Sequence, residues 1–172
     1  ILADREILEF ISRFEKVKKL ETVTFCGGEV FTLKYFPELV NKLINSAGPA
    51  SRVSLALGSK SIASTRSRPV NLDLGVPHSS HPLFIQIVTN GTVDKLDEFT
   101  NPNFVNLIVS LDGLPNYHDA NRGSGNFDKS IRFIKKARKL GFHTEIFSIA
   151  TRQNIGQIDE FEEYLCSILK YP

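Results

Sequence analysis

Four short runs, almost wholly apolar, constrain this chain more than any other feature. They are Val23–Cys26, Leu83–Val88, Asn106–Ser110 and His143–Ala150. Runs of this length without polar alternation read as strands buried on both faces. Between them lie segments with a helical apolar period. Strands alternating with helices are parallel, with right-handed crossovers. The expected fold is therefore α/β, a piece of a β/α barrel or of a doubly wound sheet, with the four strands neighbours in chain order.

The helices are read from caps and stripes. Asp4 can cap a first helix striped by Ile7, Leu8, Ile11 and Phe14, which ends in the basic run Lys16–Lys19. Cations there suit a helix C-terminus. A second helix runs from about Pro37 to Ile44 and buries Leu39, Val40, Leu43 and Ile44. Val93–Phe99 reads as a short helix or turn. A loop rich in Asn, Gly and His then leads to Asn126, which caps a helix carrying Phe127, Ile131 and Ile134 and closed by Gly141. The basic residues from Arg132 to Lys139 lie mostly opposite that face and read as solvated surface. Asn154 and Gln157 match a capping box for a last helix with Ile158, Phe161, Leu165 and Ile168 on one face.

Residues 46–82 depart from this pattern. They are rich in Ser, Gly and Pro and read as a long insertion or lid. The His78 and His81 within it read as a solvated pair before a metal site. The chain's 172 residues are enough for one domain. A net charge of +2 gives no case for nucleic acid or a membrane surface. No apolar run is long enough to span a bilayer, and no signal peptide is visible, so a cytoplasmic protein is expected. Cys26 and Cys166 both sit in apolar patterns and read as buried thiols of a reducing compartment. The chain starts inside a helical pattern, has no Met, and ends just after a helix, as a fragment would.

The exits of the strands carry the functional signal. The first strand runs into Gly27-Gly28-Glu29, the second into Thr89-Asn90-Gly91, the third into Ser110 and Asp112-Gly113. Taken alone, Gly-Gly-Glu reads as a tight turn and a surface acid. In a parallel sheet, however, these three clusters converge on one edge, where ligands bind. Arg122, twelve positions past Ser110, could fork onto a carboxylate, or could be a capping or surface arginine. Asn121–Gly125 is half of a dinucleotide fingerprint without its third glycine, and does not sit directly at a strand end.

The segments TFCGGE (24–29), IVTNGT (87–92), SLDG (110–113) and YHDANRGSGNFD (117–128) together resemble the radical S-adenosylmethionine superfamily. The last two are most similar to its peptide- and protein-modifying branch, which includes the anaerobic sulfatase maturases and SPASM-type enzymes. The resemblance covers most of residues 20–165 outside the insertion. It implies a partial (β/α)6 barrel. Gly27, Gly28 and Glu29 would hold the amino group of the cofactor's methionine, Ser110 would lie near the ribose or carboxylate end, and Arg122 would pair with the carboxylate. Thr89 and Asn90 would form the floor, and Asp112 would belong to the same site. Val30 stands where family members usually have proline.

The family also binds a [4Fe–4S] cluster through a Cys-x3-Cys-x2-Cys loop, and this chain contains no such triplet. Its ligands are expected upstream of residue 1, which would leave these residues alone without activity. In the complete protein the cluster would donate an electron to the cofactor's sulfonium. The resulting 5′-deoxyadenosyl radical would abstract hydrogen from a peptide or protein, with a ferredoxin- or flavodoxin-like reductant as a further partner. Two rival readings stand beside this one. One is a cluster-less relative that binds a peptide or partner. The other is a barrel hydrolase pairing Glu29 with Asp112.

Overall fold

The structure, a computed structural model, describes residues 4–15, 20–46 and 83–169. The run Lys16–Lys19, the His78/His81 pair and nearly all of the 46–82 insertion lie outside them. Helix α1 (Asp4–Glu15) leads to strand β1 (Thr22–Phe25), a single 3-10 turn (Val30–Thr32) and helix α2 (Phe36–Ser46). Strand β2 (Phe84–Thr89) leads through two 3-10 turns to strand β3 (Val105–Ser110). Helices α3 (Pro115–Arg122) and α4 (Asn126–Leu140), strand β4 (His143–Phe147) and helix α5 (Ile158–Leu169) complete the order.

The sheet has the order β1-β2-β3-β4, and every neighbouring pair is parallel, as the alternation of strands and helices predicts. It is an open sheet, and its two faces differ. Ile85 and Ile87 of β2 and Val105, Leu107 and Val109 of β3 are fully buried beneath the helices. Leu39, Val40, Leu43 and Ile44 of α2, and Phe127, Ile131, Phe133, Ile134 and Ala137 of α4, complete this core. Each such side chain contributes roughly 1.5–3 kcal/mol on burial. The opposite face carries a polar row, Thr24, Gln86, Asn106 and His143, in direct cross-strand register. Within it Thr24 Oγ1 donates to Gln86 Oε1 at 2.9 Å. Asn106 Oδ1 is buried and accepts no hydrogen bond from the described residues.

Several expectations give way to tertiary contacts. The fourth strand stops at Phe147, not Ala150, because Ser148 turns to donate to the Leu111 carbonyl. The stretch before Asn126 is not all loop, since Pro115–Arg122 is a helix with proline at its first position. The cap of α4 is Gly125 in the left-handed region (φ 74°), with Asn126 one residue inside. Asn126 Nδ2 donates instead to the Arg122 carbonyl. Asn154 does not close a capping box with Gln157, because its side chain is spent on backbone groups elsewhere, among them the Asp112 carbonyl. Cys26 and Cys166 are both exposed. Cys26 lies one residue past β1, and Cys166 sits away from the α5 face formed by Phe161, Leu165 and Leu169. Gly141 does close α4 (φ 92°), its N–H on the last carbonyls. Among the described residues no helix is long and apolar enough to cross a membrane.

Candidate functional site

The exits of β1, β2 and β3 meet at one end of the sheet. They border an open cleft of about 250 Å³ lined by Gly27, Gly28, Glu29, Val88, Thr89, Asn90, Ser110 and Arg122. Seven of the eight residues singled out from sequence thus share one cavity. The eighth, Asp112, stands behind it.

Glu29 is fixed from below. It caps the 3-10 turn at Val30–Thr32, accepting from the Phe31 N–H at 3.2 Å. Its carboxylate also accepts from Thr89 Oγ1 at 2.9 Å and from the Asn90 N–H at 2.9 Å. Phe31 is wholly buried, and its ring meets Phe36, Phe99 and Phe133 edge-on. The turn that carries the acid is therefore bolted into the core, and it forms with Val30 at its start rather than proline. Gly27 has φ 136°, a conformation L side chains rarely adopt, and open space lies over it and Gly28.

Asn90-Gly91 does not make a hairpin. Thr89 Oγ1 accepts the Gly91 N–H at 3.0 Å, and Asn90 Oδ1 accepts the Thr92 N–H at 2.9 Å, which turns the chain away from β2. A Cβ on Gly91 (φ 70°) would sit 3.2 Å from the Ser130 Cα and 3.2 Å from Val109 Cγ1, so only glycine fits beneath α4. Ser130 Oγ then donates to the Asn90 carbonyl at 2.6 Å.

On the far side, Arg122 ends α3 and forks onto Asp112. Its Nε donates to Oδ2 at 2.7 Å and its Nη2 to Oδ1 at 2.9 Å. Of the five guanidinium N–H groups this fork uses two, and Arg122 lines both the cleft and the polar pocket beside it. Asp112 itself is clamped through its backbone. Its N–H donates to His118 Nδ1 at 3.2 Å, and its carbonyl accepts from Asn154 Nδ2 at 2.6 Å. Asn154 also donates to the Ile149 carbonyl and accepts the Thr151 N–H. His118 is 1% exposed and packs edge-on against Phe127. Burial holds its imidazole below the usual histidine range, against the opposing pull of Asp112. Asp119 serves the next helix: its carboxylate accepts the Phe127 and Gly125 N–H groups, and these hold it below the usual carboxylate range. The glycines of the 121–125 segment thus belong to a helix–helix joint.

His118 and Asn154 are the functional candidates that sequence reasoning did not place. For Asn154 the only local signal was a capping pattern it does not use. Asp112 is paired with Arg122 and does not line the cleft that Glu29 borders, which disfavours a hydrolase that pairs the two carboxylates.

The comparisons with known proteins bear on the family and the fold. Two curated proteins named mycofactocin maturase MftC are similar to this chain, from Mycolicibacterium smegmatis (33% identical) and Mycobacterium tuberculosis (32%). Each match spans 88 residues, which is 48% of this chain and 22% of the relative. The chain thus covers only a part of the length of these relatives. The fold is shared with native anSMEcpe, an anaerobic sulfatase maturase, solved with bound AdoMet (TM-score 0.66, 16% identical). It is shared again with that protein bound to AdoMet and the Kp18Cys peptide (TM-score 0.69, 17% identical). Both superpositions cover 97% of this chain and 40% of the other. The family model for the radical SAM superfamily matches residues 1–165, so the chain belongs to that superfamily, whose cofactors are S-adenosylmethionine and a [4Fe–4S] cluster.

Proposed function

We propose that this chain is the cofactor-holding core of an enzyme that uses S-adenosylmethionine to abstract hydrogen from a peptide or protein. The observation that carries the reading is the single cleft shared by Gly27, Gly28, Glu29, Thr89, Asn90, Ser110 and Arg122. Its charges suit an amino acid moiety, with a carboxylate on one wall and a guanidinium on another. The maturase relatives and the peptide-bound neighbour support the substrate class.

The residues fit the cofactor in a definite way. Glu29 has its lower lone pairs filled by Phe31, Thr89 and Asn90, so its orientation toward an incoming ammonium costs little rearrangement. Arg122 cannot offer a carboxylate the edge already spent on Asp112. It offers the remaining N–H groups, in a direction that Asp112 sets. Ser110 contributes its hydroxyl between these two poles. The glycine pair leaves the backbone open to close approach. When bound, the cofactor supplies one-electron cleavage chemistry that ends in hydrogen abstraction. Among the described residues no group of three His, Cys, Asp or Glu could hold a metal ion, so no residue here is assigned to the cluster.

Calorimetric titration of the full-length, cluster-loaded protein with S-adenosylmethionine tests the reading. Each charge-assisted contact contributes roughly 1.5–3 kcal/mol. Glu29→Gln should therefore weaken binding about ten- to a hundredfold. Arg122→Lys should also weaken it, because an ammonium cannot hold Asp112 and a ligand in the same planar geometry. Wild-type affinity in both variants, with the fold intact, would sink the assignment.

A further inference from the structure

Arg122 borders the cleft and Asp112 stands behind it, and two buried polar side chains from outside the strand exit hold the Asp112 backbone. His118 reaches the Asp112 N–H from α3, and Asn154 reaches the Asp112 carbonyl from the segment after β4, 42 positions away. His118 and Asn154 are 1% and 5% exposed. Buried polar groups that hold both the N–H and the carbonyl of one residue specify the orientation of its backbone. Gly113, the next residue, has φ 156°, and a Cβ there would press Tyr117 Cδ1 at 3.1 Å, so the turn has little slack.

We infer that His118 and Asn154 are positioning residues that aim Arg122 at the cleft through Asp112, and that His118 does so only as a neutral imidazole with Nδ1 bare. An Nδ1 that accepts an N–H cannot carry a proton, which places the ring's hydrogen on Nε2. Protonation would set an N–H against the Asp112 N–H and break the clamp. The charged groups facing the ring are Asp112 and, from its own helix, Asp119 and Arg122. From α4 it meets Phe127, and the pocket beside it adds the uncharged Asn90, Thr92 and Asn126.

Burial lowers the folded-state value below 6.5, so the folded state binds fewer protons than the unfolded chain between the two values. The stability this adds is complete above about 6.5 and is lost as pH falls through that window, while in the folded protein the clamp itself opens only as pH falls through the lowered folded-state value. The cofactor then meets a mis-aimed Arg122, and its affinity falls with pH.

The affinity part of this inference rests on the proposed cofactor site, and the spectroscopic part does not. In the full-length protein, 15N spectra should show His118 Nδ1 as an unprotonated acceptor at pH 7.5, assigned by its loss in His118→Asn. The Arg122 Nε–H should be protected at pH 7.5, relative to the base-catalysed exchange of an unstructured arginine at the same pH, and should lose that protection at the low pH where the 15N spectra show His118 protonated. His118→Asn presents an amide oxygen near the Nδ1 position and cannot titrate, so its Arg122 protection should persist at that low pH. His118→Leu should lose the protection at both pH values. S-adenosylmethionine affinity should drop about three- to tenfold in the wild type from pH 7.5 to that low pH and stay level in His118→Asn. Asn154→Asp, which keeps the acceptor and removes the donor to Asp112, should weaken binding by a similar factor. Arg122 protection indifferent to pH and to His118→Leu overturns the inference. So does a wild-type pH dependence that His118→Asn retains. A His118→Leu protein that fails to fold leaves the decision to the wild type and His118→Asn. If the spectra behave as expected and no variant binds S-adenosylmethionine, the cofactor reading fails while the positioning role stands.

Discussion

The two walls of the cleft are built on different principles. On the Glu29 wall, two of the three donors to the carboxylate are main-chain N–H groups, from Phe31 and Asn90. On the Arg122 wall, the chain of contacts runs through side chains: Arg122, Asp112, His118 and Asn154. A main-chain donor survives a change of side chain, and a side-chain donor does not. The first wall should thus tolerate substitution around its acid as long as the core beneath it holds. The second should respond to each conservative change.

The strongest way to break the contrast is to remove the core support. Phe31→Ala leaves the N–H to Glu29 in place but deletes a wholly buried ring packed on three others. It should cost about 3–5 kcal/mol of stability, read by chemical denaturation. A loss below about 1 kcal/mol would mean that the core does not anchor the turn. The next test is Asp112→Asn, which keeps the shape and removes the charge that holds the Arg122 fork. S-adenosylmethionine affinity should fall on the order of tenfold, with stability less affected because the guanidinium is partly exposed. The smallest effect is expected at Asn90→Ala. It deletes the bonds from Asn90 Oδ1 to Thr92 and keeps the N–H to Glu29. Titration should find affinity within about threefold of the wild type. If Asn90→Ala outweighs Asp112→Asn, the division between the walls is wrong.

The same contrast explains what could be read from the sequence. The Glu29 wall was visible because its signals are local: apolar runs ending in Gly-Gly-Glu and Thr-Asn-Gly, whose backbone needs are met within a few residues. The four-strand order was visible for the same reason. The Arg122 wall was visible only in outline. Helix α3 has the sequence PNYHDANR and lacks an apolar stripe, so nothing marked it as a helix; packing of His118 against Phe127 does that. Asn154 fitted a capping pattern with Gln157, but a carbonyl 42 positions away outcompeted the local partner. Arg122 was placed at the site by its motif, yet its engagement by Asp112 depends on a fold that brings a strand exit and a helix end together.

Gly91 has a consequence beyond its turn. A Cβ on Gly91 would lie only 3.2 Å from the backbone of α4 at Ser130, so that helix approaches the exit of β2 closely at this point. The same peptide segment supplies the Asn90 N–H to Glu29 and receives Ser130 Oγ on its carbonyl. Helix and acid are therefore joined across one residue, like the two arms of a balance. A change that lifts α4 at Ser130 should also shift the Asn90 N–H that holds the Glu29 carboxylate. The outer helix layer is thus a gauge for the site, and packing on the back of the sheet becomes a means of tuning it.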